Sequence, residues 1–453
     1  MAAAVDQRYA GFRLADSIEG AVPRVPYSSL TSSAFFRDYI KQRRPCVLTG
    51  HPAPPKLRGP NAAAQRPAKR QRTEVGAAWG WPDEYLRELA GKASVAVEVG
   101  VAEASRRFGH SRRVQMEFGD FLDKVGAGDE FVYLTAQTTQ PDEEARPGLC
   151  APPAEQLLLA GEAPLDVPLM GSLVLAQVNV WMGTSRTGAS SGLHHDFHDN
   201  LYVLVRGSKR FRLYSPDSIE AMAVAGHPVI VHPNGRVCYD GDEHLAADGS
   251  WAEDDLPHDA DAGERLDDDS EDDGDAALGD AADPPPGEVD DSDDDTALET
   301  ALDAAIEGHG EADDYDDEST ATTEGGAGVH VNDDGSGTPK NFSTLDQSSE
   351  SFPADFLAAT SVDVTLEPGD MMFLPCGWFH EVTSTDAEEG GGHLAVNYWY
   401  HPPDKLDGDH CMPYSSTFWL DDWRVRCKDD PVLQRLVDRG GHDMLRSSHE
   451  CAS

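Results

Sequence analysis

The sequence predicts a mainly β protein with flanking helices, in which short strands form an antiparallel barrel or sandwich. Three observations favour this fold class. Short apolar runs bounded by glycine, proline or polar residues recur along the chain, among them "PCVLTG", "FVYLTAQ" and "GSLVLAQVNVWMG". Helical periodicity is limited to a few segments in the first third of the chain and near its C-terminus. A long acidic stretch in the second half is too poor in apolar residues to contribute to a core.

The folded domain is predicted to begin after a flexible N-terminus of residues 1–21. Serine and threonine residues before a run with Phe35 and Ile40 on one side predict a capped helix, and "PCVLTG" predicts a short buried strand. Residues 51–78 are rich in proline, alanine and basic residues, which indicates a loop insertion. Further strands and helices follow, so residues 22–239 are assigned to the first part of the domain.

The charge of the chain is concentrated in one segment. Residues 241–340 contain 36 acidic and 2 basic residues, so they carry −34 of the formal net charge of −46 and leave −12 for the rest. Low hydrophobicity with high charge cannot offset the entropy lost on ordering, so residues 240–344 are predicted to be a disordered acidic insertion. Residues 345–405 are then the second part of the domain, and residues 406–453 a helical extension.

Composition also limits the partners and the compartment. Proteins bind phosphate backbones through Lys and Arg, so direct nucleic-acid binding is not expected, and a basic protein is the more plausible partner. The seven cysteines are scattered and form no CxxC pair, which argues against a disulfide framework and zinc-finger modules and indicates a reducing compartment. We expect no signal peptide and no membrane span.

A basic pattern and the C-terminal region give two further expectations. "PAKRQR", which contains Lys69–Arg72, fits a nuclear-import signal, and a solvated basic loop is the alternative. The expected location is therefore the nucleus and/or the cytoplasm. The periodicity of "FWLDDWRVRCKDDPVLQRLVDRGG" predicts a helix that packs on the core or on a second subunit of a homodimer.

The stretch "LYVLVRGSKRFRLY" predicts a hairpin of two strands joined by a two-residue turn at Gly207 and Ser208. In this pairing Leu204 lies opposite Phe211, and Lys209 shares their largely apolar face. A lysine on such a face normally has a partner, so Lys209 is a candidate to bind the carboxylate of a ligand. The alternative is that its ammonium group extends past the end of the hairpin into water.

Two separate segments supply candidate metal ligands. In "SGLHHDFHDN", His194 and Asp196 are two residues apart, so on an extended strand their side chains point the same way. One more histidine would complete the two-histidine, one-carboxylate triad that leaves coordination positions open on iron(II). A polar loop is the alternative for this fragment alone. His380, in "PCGWFHEV", is the candidate third ligand, although a histidine among large apolar groups is also typical of a core.

Three motifs together resemble the JmjC-domain oxygenases of the cupin superfamily: "LHHDFHDNLYVLVRGSKRFRLYSP", "PGDMMFLPCGWFHEV" and "LAVNYWY". The similarity is to the small hydroxylase-type branch, which includes the asparaginyl hydroxylase of the hypoxia pathway and lysyl-hydroxylase-like JmjC proteins. It spans residues 22–403 apart from the basic loop and the acidic insertion. The resemblance implies a double-stranded β-helix, the jelly-roll or cupin fold, that binds iron(II) and 2-oxoglutarate and uses O2.

The resemblance assigns roles to eight residues by motif. His194, Asp196 and His380 correspond to the metal ligands. Lys209 corresponds to the lysine that pairs with the distal carboxylate of 2-oxoglutarate. Ser191 stands where relatives often have a threonine that contacts the same carboxylate. The remaining positions that the resemblance places near the co-substrate are Asn200, Tyr133 and Asn397.

The function implied by the resemblance is an iron(II)- and 2-oxoglutarate-dependent dioxygenase that hydroxylates a protein side chain, with succinate and CO2 as co-products. Histone or protein lysine demethylation uses the same site, but such demethylases often carry zinc-binding reader domains, and this chain has no CxxC. A second alternative is a JmjC-like scaffold that binds basic proteins such as histones through its acidic insertion. A third is a cupin enzyme, such as an isomerase, that works without 2-oxoglutarate; Lys209 and Asn397 argue against it.

Overall fold

A computed structural model gives the fold of most of the domain. The described residues are 4–16, 22–50, 81–100, 112–139, 148–165, 167–251, 338–345, 352–387, 391–429 and 433–435. The basic loop predicted at residues 51–78, with its Lys69–Arg72 motif, lies outside them. So does the larger part of the predicted acidic insertion.

Seventeen strands and six α-helices occur in these residues. The strands are β1 Asp6–Gln7, β2 Arg24–Pro26, β3 Cys46–Thr49, β4 Ser94–Val99, β5 Arg112–Glu117, β6 Val132–Leu134, β7 Leu175–Gly183, β8 Ala189–Ser190, β9 His194–His195, β10 Asp199–Arg206, β11 Ser208–Tyr214, β12 Pro228–Val231, β13 Val237–Tyr239, β14 Ser361–Leu366, β15 Met371–Leu374, β16 Phe379–Thr385 and β17 His393–Tyr400. The helices are α1 Ser32–Phe35, α2 Asp83–Ala90, α3 Phe118–Gly126, α4 Ala154–Ala160, α5 Ala354–Ala358 and α6 Phe418–Asp429. The predicted cap of α1 is present, because Thr31 Oγ1 accepts a hydrogen bond from the backbone N–H of Ala34 at 3.2 Å.

Two of the sheets face each other. The large sheet has the strand order β2-β3-β15-β10-β17-β7-β6-β4-β5, and the small one has the order β14-β11-β16-β8, with β9 paired to β16. Tyr202 and Leu204 of β10 pack with Phe211 and Leu213 of β11 in one apolar cluster between the sheets. The alternate residues of β10 pack in a second cluster with α1 to α4. The predicted mainly β fold class with flanking helices is confirmed.

The predicted hairpin at Gly207 is wrong. β10 pairs with β15 and β17 in the large sheet, whereas β11 pairs with β14 and β16 in the small sheet. Gly207, at φ +83°, is the point where the chain crosses between the sheets. Alternating apolar residues show which face of a strand is buried and not which strand lies beside it. The shared face was therefore predicted correctly, because Lys209 and Phe211 line the same pocket as Tyr202.

The N-terminus differs from the flexible segment predicted for residues 1–21. Residues 4–16 pack on the domain, where β1 pairs with β12 and the side chains of Tyr9 and Leu14 are buried. A few apolar side chains anchor a short terminal segment, and the average composition of that segment does not reveal them.

Both ends of the acidic insertion predicted at residues 240–344 are ordered parts of the domain. Lys340 and Asp242 join these ends through a buried ion pair, with Nζ and Oδ2 2.5 Å apart. Phe342 is buried, and its ring stacks on that of His194. Composition places these residues in the insertion because they lie in an acidic context, yet charged groups that have partners can be buried.

A buried ion pair fixes the start of β10, close to the candidate ligands. Arg43 and Asp199 are both fully buried, and Arg43 Nη1 donates to Asp199 Oδ2 at 2.9 Å. The same carboxylate accepts the backbone N–H of Cys376 at 3.0 Å. The pair thus connects the start of β10 to the turn that precedes His380.

Replacement of Arg43 by methionine is expected to destabilise the fold by about 3–5 kcal/mol, because Asp199 stays buried without its counter-ion. Urea unfolding measures the loss. The matched control is Arg24, which pairs with Asp370 but is nearly half exposed. Arg24→Met is expected to cost about 1 kcal/mol or less. Equal losses for the two variants would show that burial of the Arg43 pair contributes nothing special.

Helix α6 lies within the predicted C-terminal extension, residues 406–453. Its Trp423 is buried in the core cluster, so the helix packs on its own domain; the homodimer stays a prediction. Among the helices of the described residues, none combines the length and the apolar character that crossing a membrane requires.

Candidate metal centre and co-substrate pocket

Two neighbouring strands of the small sheet bring the three predicted metal ligands together. β9 and β16 are antiparallel, and His194 is paired with His380 in their register. Asp196 follows β9 by one residue, and its Oδ2 lies 3.8 Å from His380 Nε2. One possible ligand atom from each of the three residues lies within 4.8 Å of the other two. The three side chains can therefore converge on one metal ion.

Backbone carbonyl groups fix the orientation of both imidazole rings. A carbonyl oxygen only accepts hydrogen bonds, so His194 Nδ1 donates to Gly192 O at 3.0 Å and His380 Nδ1 donates to Trp378 O at 2.9 Å. With Nδ1 directed at a carbonyl group, Nε2 is the nitrogen of each ring that can bind a metal. Burial, together with the nearby His380, lowers the pKa of His194 to about 3, which keeps this ring neutral at physiological pH.

Asp196 is held in its charged form by the groups around it. Burial alone would raise the pKa of this carboxyl group, but His380, His194 and a hydrogen bond from Asn200 together hold it below the ordinary value. A neutral imidazole and an ionised carboxylate are the forms that bind a divalent cation. The site is thus set for metal binding at neutral pH.

A chain of hydrogen bonds leads from Asp196 into the large sheet. Asn200 Nδ2 donates to Asp196 Oδ2 at 3.1 Å, and Asn397 Nδ2 donates to Asn200 Oδ1 at 3.1 Å. Trp181 Nε1 donates to Asn397 Oδ1 at 2.9 Å. Because an indole N–H can only donate, it sets the direction of both amide groups. These hydrogen bonds orient the carboxylate of Asp196 from the side of the large sheet.

Replacement of Asn397 by alanine is expected to weaken divalent-metal binding by about 10–100-fold, the usual effect of losing a group that orients a ligand. Asn397 reaches the carboxylate only through Asn200, so the metal ligands themselves remain. Calorimetric titration with Mn(II) measures the affinity. Asn179 is a matched control, since it is equally buried and faces Asn397 in the register of β7 and β17. An equal loss in Asn179→Ala would assign the effect to packing.

Lys209 lies at the far end of the same pocket. It is paired with Ser384 in the register of β11 and β16, four residues from His380, which is about 13 Å along a strand. Its ammonium group is buried and donates to Ser384 Oγ at 2.5 Å and to Tyr133 Oη at 3.4 Å. No carboxylate in the described part of the chain pairs with it. Burial lowers the pKa of Lys209 to about 7.

Comparisons with known proteins agree with this geometry. The family described as a cupin-like domain matches residues 32–406. JmjC domain-containing protein 4 of Schizosaccharomyces pombe (strain 972 / ATCC 24843) is 33% identical over 382 residues, which cover 73% of this chain and 78% of that protein. The chain belongs to the cupin-like JmjC family. Members of this family are iron(II)- and 2-oxoglutarate-dependent oxygenases, and the two facing sheets are the jelly roll of the cupin fold.

Two further JmjC relatives have names that state an activity. Bifunctional peptidase and (3S)-lysyl hydroxylase JMJD7 of Homo sapiens is 29% identical over 204 residues, which cover 42% of this chain and 54% of that protein. Lysine-specific demethylase JMJ30 of Arabidopsis thaliana is 29% identical over 193 residues, 41% of this chain and 36% of that protein. These two relatives are equally similar to the chain, so their names do not separate hydroxylation from demethylation.

The structure places seven of the eight predicted site residues around one pocket of this JmjC domain. They are Tyr133, Ser191, His194, Asp196, Asn200, Lys209 and His380, and Asn397 lies behind Asn200. The hydroxyl group of Ser191 is engaged by the backbone, because it donates to Gly192 O at 2.8 Å and accepts from the N–H of Val382 at 2.9 Å. Its contact with a co-substrate carboxylate stays a prediction.

Two histidines beside the ligands have other surroundings. His195 points to the other side of β9, as strand alternation predicts, and its Nε2 is hydrogen-bonded to Tyr239 Oη at 2.6 Å. His198 is buried and stacks on Trp399. Neither belongs to the group of atoms that can converge on a metal.

Sequence reasoning missed several residues of the pocket, among them Ser384 and Phe342. Ser384 lies four residues after His380 on β16, so the twofold alternation of a strand could have placed it on the same face. Phe342 stacks on His194 with ring centroids 4.5 Å apart and planes 7° apart. No pattern predicts this contact, because Phe342 follows a long acidic segment.

The side chains of the pocket fit an iron(II) ion and a dicarboxylate. Two imidazole nitrogens and one carboxylate are a donor set typical of non-haem iron sites. At the other end, the buried ammonium group of Lys209 has hydroxyl partners but no counter-ion in the described residues. A ligand with one carboxylate at Lys209 and further oxygen atoms near His194 and His380 would meet both requirements.

Proposed function

We propose that this protein is an iron(II)- and 2-oxoglutarate-dependent dioxygenase that hydroxylates a side chain of another protein, with release of succinate and CO2. The observation that carries the proposal is the arrangement of one pocket. His194, Asp196 and His380 meet at one end, and the buried Lys209 lies at the other. Iron(II) and 2-oxoglutarate bound there supply the oxidising power that breaks a substrate C–H bond.

The other residues of the pocket bind, orient and exclude water. Lys209 offers a charge-assisted hydrogen bond to the distal carboxylate of 2-oxoglutarate, and Tyr133 and Ser384 hold its ammonium group in place. Tyr202 and Phe211 form an apolar wall, with ring centroids 5.4 Å apart. This wall keeps water from the reacting groups, which strengthens their electrostatic interactions.

A protein side chain is the proposed substrate because the named relatives support it. JMJD7 is named as a lysyl hydroxylase and JMJ30 as a lysine demethylase, so both names refer to an amino-acid residue. Hydroxylation is the first choice, since the sequence contains no CxxC pair of a zinc-binding reader domain. Demethylation is the second candidate, supported by the name of JMJ30.

The proposal is tested with the purified protein, iron(II), ascorbate and 2-oxoglutarate. Proteins from a cell extract serve as substrates, and mass spectrometry follows them while succinate is measured. The expected result is release of succinate together with a gain of one oxygen atom on a protein residue, both absent with the His380→Ala variant. Loss of methyl groups with release of formaldehyde would favour demethylation. Absence of succinate release under all conditions would contradict both activities.

A further inference from the structure

The far end of the pocket contains a histidine that the proposed function does not yet use. His393 is the first residue of β17, lines the pocket and is only 1% exposed. Its Nδ1 lies 3.4 Å from Asp386 Oδ1, whereas its Nε2 is buried and has no hydrogen-bond partner in the described residues. A buried ring nitrogen without a partner is costly unless a ligand supplies one.

Asp386 is built to orient this ring. Its carboxylate accepts hydrogen bonds from the hydroxyl group of Thr184 and the backbone N–H of Ser185, both at 2.6 Å. These contacts and His393 outweigh the effect of burial and lower the pKa of Asp386 to about 2, so the group is ionised. An ionised carboxylate accepts the Nδ1–H of His393, which leaves Nε2 to face away from it.

A glycine brings His393 close to Tyr133. Gly183 lies between them in the sheet, since it is paired with Tyr133 on one side and with His393 on the other. A Cβ atom at Gly183 would lie 2.6 Å from Tyr133 Cδ2 and 3.3 Å from His393 Nε2. The ring centroids of Tyr133 and His393 are 5.8 Å apart, because Gly183 between them has no side chain. Because Tyr133 is hydrogen-bonded to Lys209, His393 belongs to the same end of the pocket.

The charged groups at this end of the pocket favour a negatively charged ligand. Burial, and then the positive charges of Lys209 and Arg206, lower the pKa of His393 to about 4, while Asp386 opposes them. Asp386 contacts His393, so Lys209 keeps no carboxylate partner in the described residues before a ligand enters. A carboxylate adds one negative charge, which favours the protonated form of His393 and turns Nε2 into a donor.

We propose that His393, oriented by Asp386, is a second binding residue for the distal carboxylate of the co-substrate and donates a hydrogen bond to it from Nε2. The inference rests on the proposed use of 2-oxoglutarate. It assigns recognition of that carboxylate to Lys209 and to His393, whose ring takes up a proton when the carboxylate binds. Such a pair selects keto acids with a second carboxylate over those without one.

The test compares the binding of two keto acids by calorimetry with Mn(II) in place of iron. 2-Oxoglutarate has the distal carboxylate, and 2-oxopentanoate has the same chain length without it. His393→Leu is expected to weaken 2-oxoglutarate binding by about 10-fold, the effect of one charge-assisted hydrogen bond. Binding of 2-oxopentanoate is expected to stay unchanged. His393→Gln, which keeps an N–H donor near the position of Nε2, is expected to restore part of the affinity.

Two results would overturn the inference: unchanged 2-oxoglutarate binding in His393→Leu, or equal weakening of both keto acids, which indicates a structural role. If His393→Leu does not fold, Asp386→Asn replaces it, and the same difference between the two keto acids is required. A wild-type protein that does not bind 2-oxoglutarate contradicts the proposed function itself. Normal wild-type binding with an unaffected His393 variant contradicts only this inference.

Discussion

Replacement of His194 or Asp196 by alanine is expected to lower 2-oxoglutarate turnover by at least about 100-fold. Removal of a metal ligand costs more than removal of a residue that only orients a ligand, for which about 10–100-fold is usual. The pocket offers three ligand side chains, and removal of one leaves two. His194→Ala also removes the hydrogen bond to Gly192 O, and Asp196→Ala removes the acceptor of Asn200 Nδ2, so the two remaining ligands hold metal poorly. Succinate release measures the loss of turnover, and the metal content of the purified protein measures the loss of metal binding.

A neighbouring histidine gives the matched control for this experiment. His195 is as buried as His194, but its ring is bonded to Tyr239 on the opposite side of β9. His195→Gln keeps a hydrogen-bonding group at that position and is expected to retain both metal and most of the turnover. Near-full turnover in His194→Ala, or an equal loss in His195→Gln, would contradict the assignment of the ligands.

Side-chain direction was more predictable from the sequence than strand pairing. His194 and Asp196 are two residues apart, and a strand directs both to one side whatever lies next to it. The same alternation placed Lys209 on the face of Phe211, even though the predicted hairpin does not exist. The turn at Gly207 fits a hairpin and a crossover equally well, so local sequence could not distinguish them.

Contacts between distant segments could not be derived from local patterns. His380 was predicted as the third ligand through the family resemblance, because no local spacing connects it to His194. Phe342 and Lys340 follow an acidic stretch whose composition indicates disorder, yet they pack against His194 and Asp242 respectively. Their burial depends on partners far away in the sequence, and composition averages carry no information about such partners.

Replacement of Lys209 by methionine is expected to raise the KM for 2-oxoglutarate by about 100-fold, because it removes a desolvated charge partner of the distal carboxylate. Methionine keeps most of the volume and the apolar stem of the side chain, so the pocket retains its shape. Turnover at saturating co-substrate is expected to change much less, since Lys209 lies about 13 Å along the strand from His380. An unchanged KM would refute the role of Lys209 in co-substrate binding.

The same substitution is expected to stabilise the protein in the absence of co-substrate, which few losses of a binding residue do. The pKa of Lys209, lowered by burial to about 7, lies well below that of a lysine in an unfolded chain, about 10.4. The unfolded state therefore binds more protons between these two values, and the stability of the wild type rises with pH across this window. Lys209→Met removes this pH-dependent rise in stability, and it also removes the cost of burying the ammonium group at neutral pH.

Lys340→Met is the contrast, because Lys340 is also buried but is paired with Asp242. Its loss is therefore expected to destabilise the fold. Urea unfolding at pH 7, 8 and 9 with and without 2-oxoglutarate measures both variants, and destabilisation by Lys209→Met would mean that its charge is already compensated within the protein.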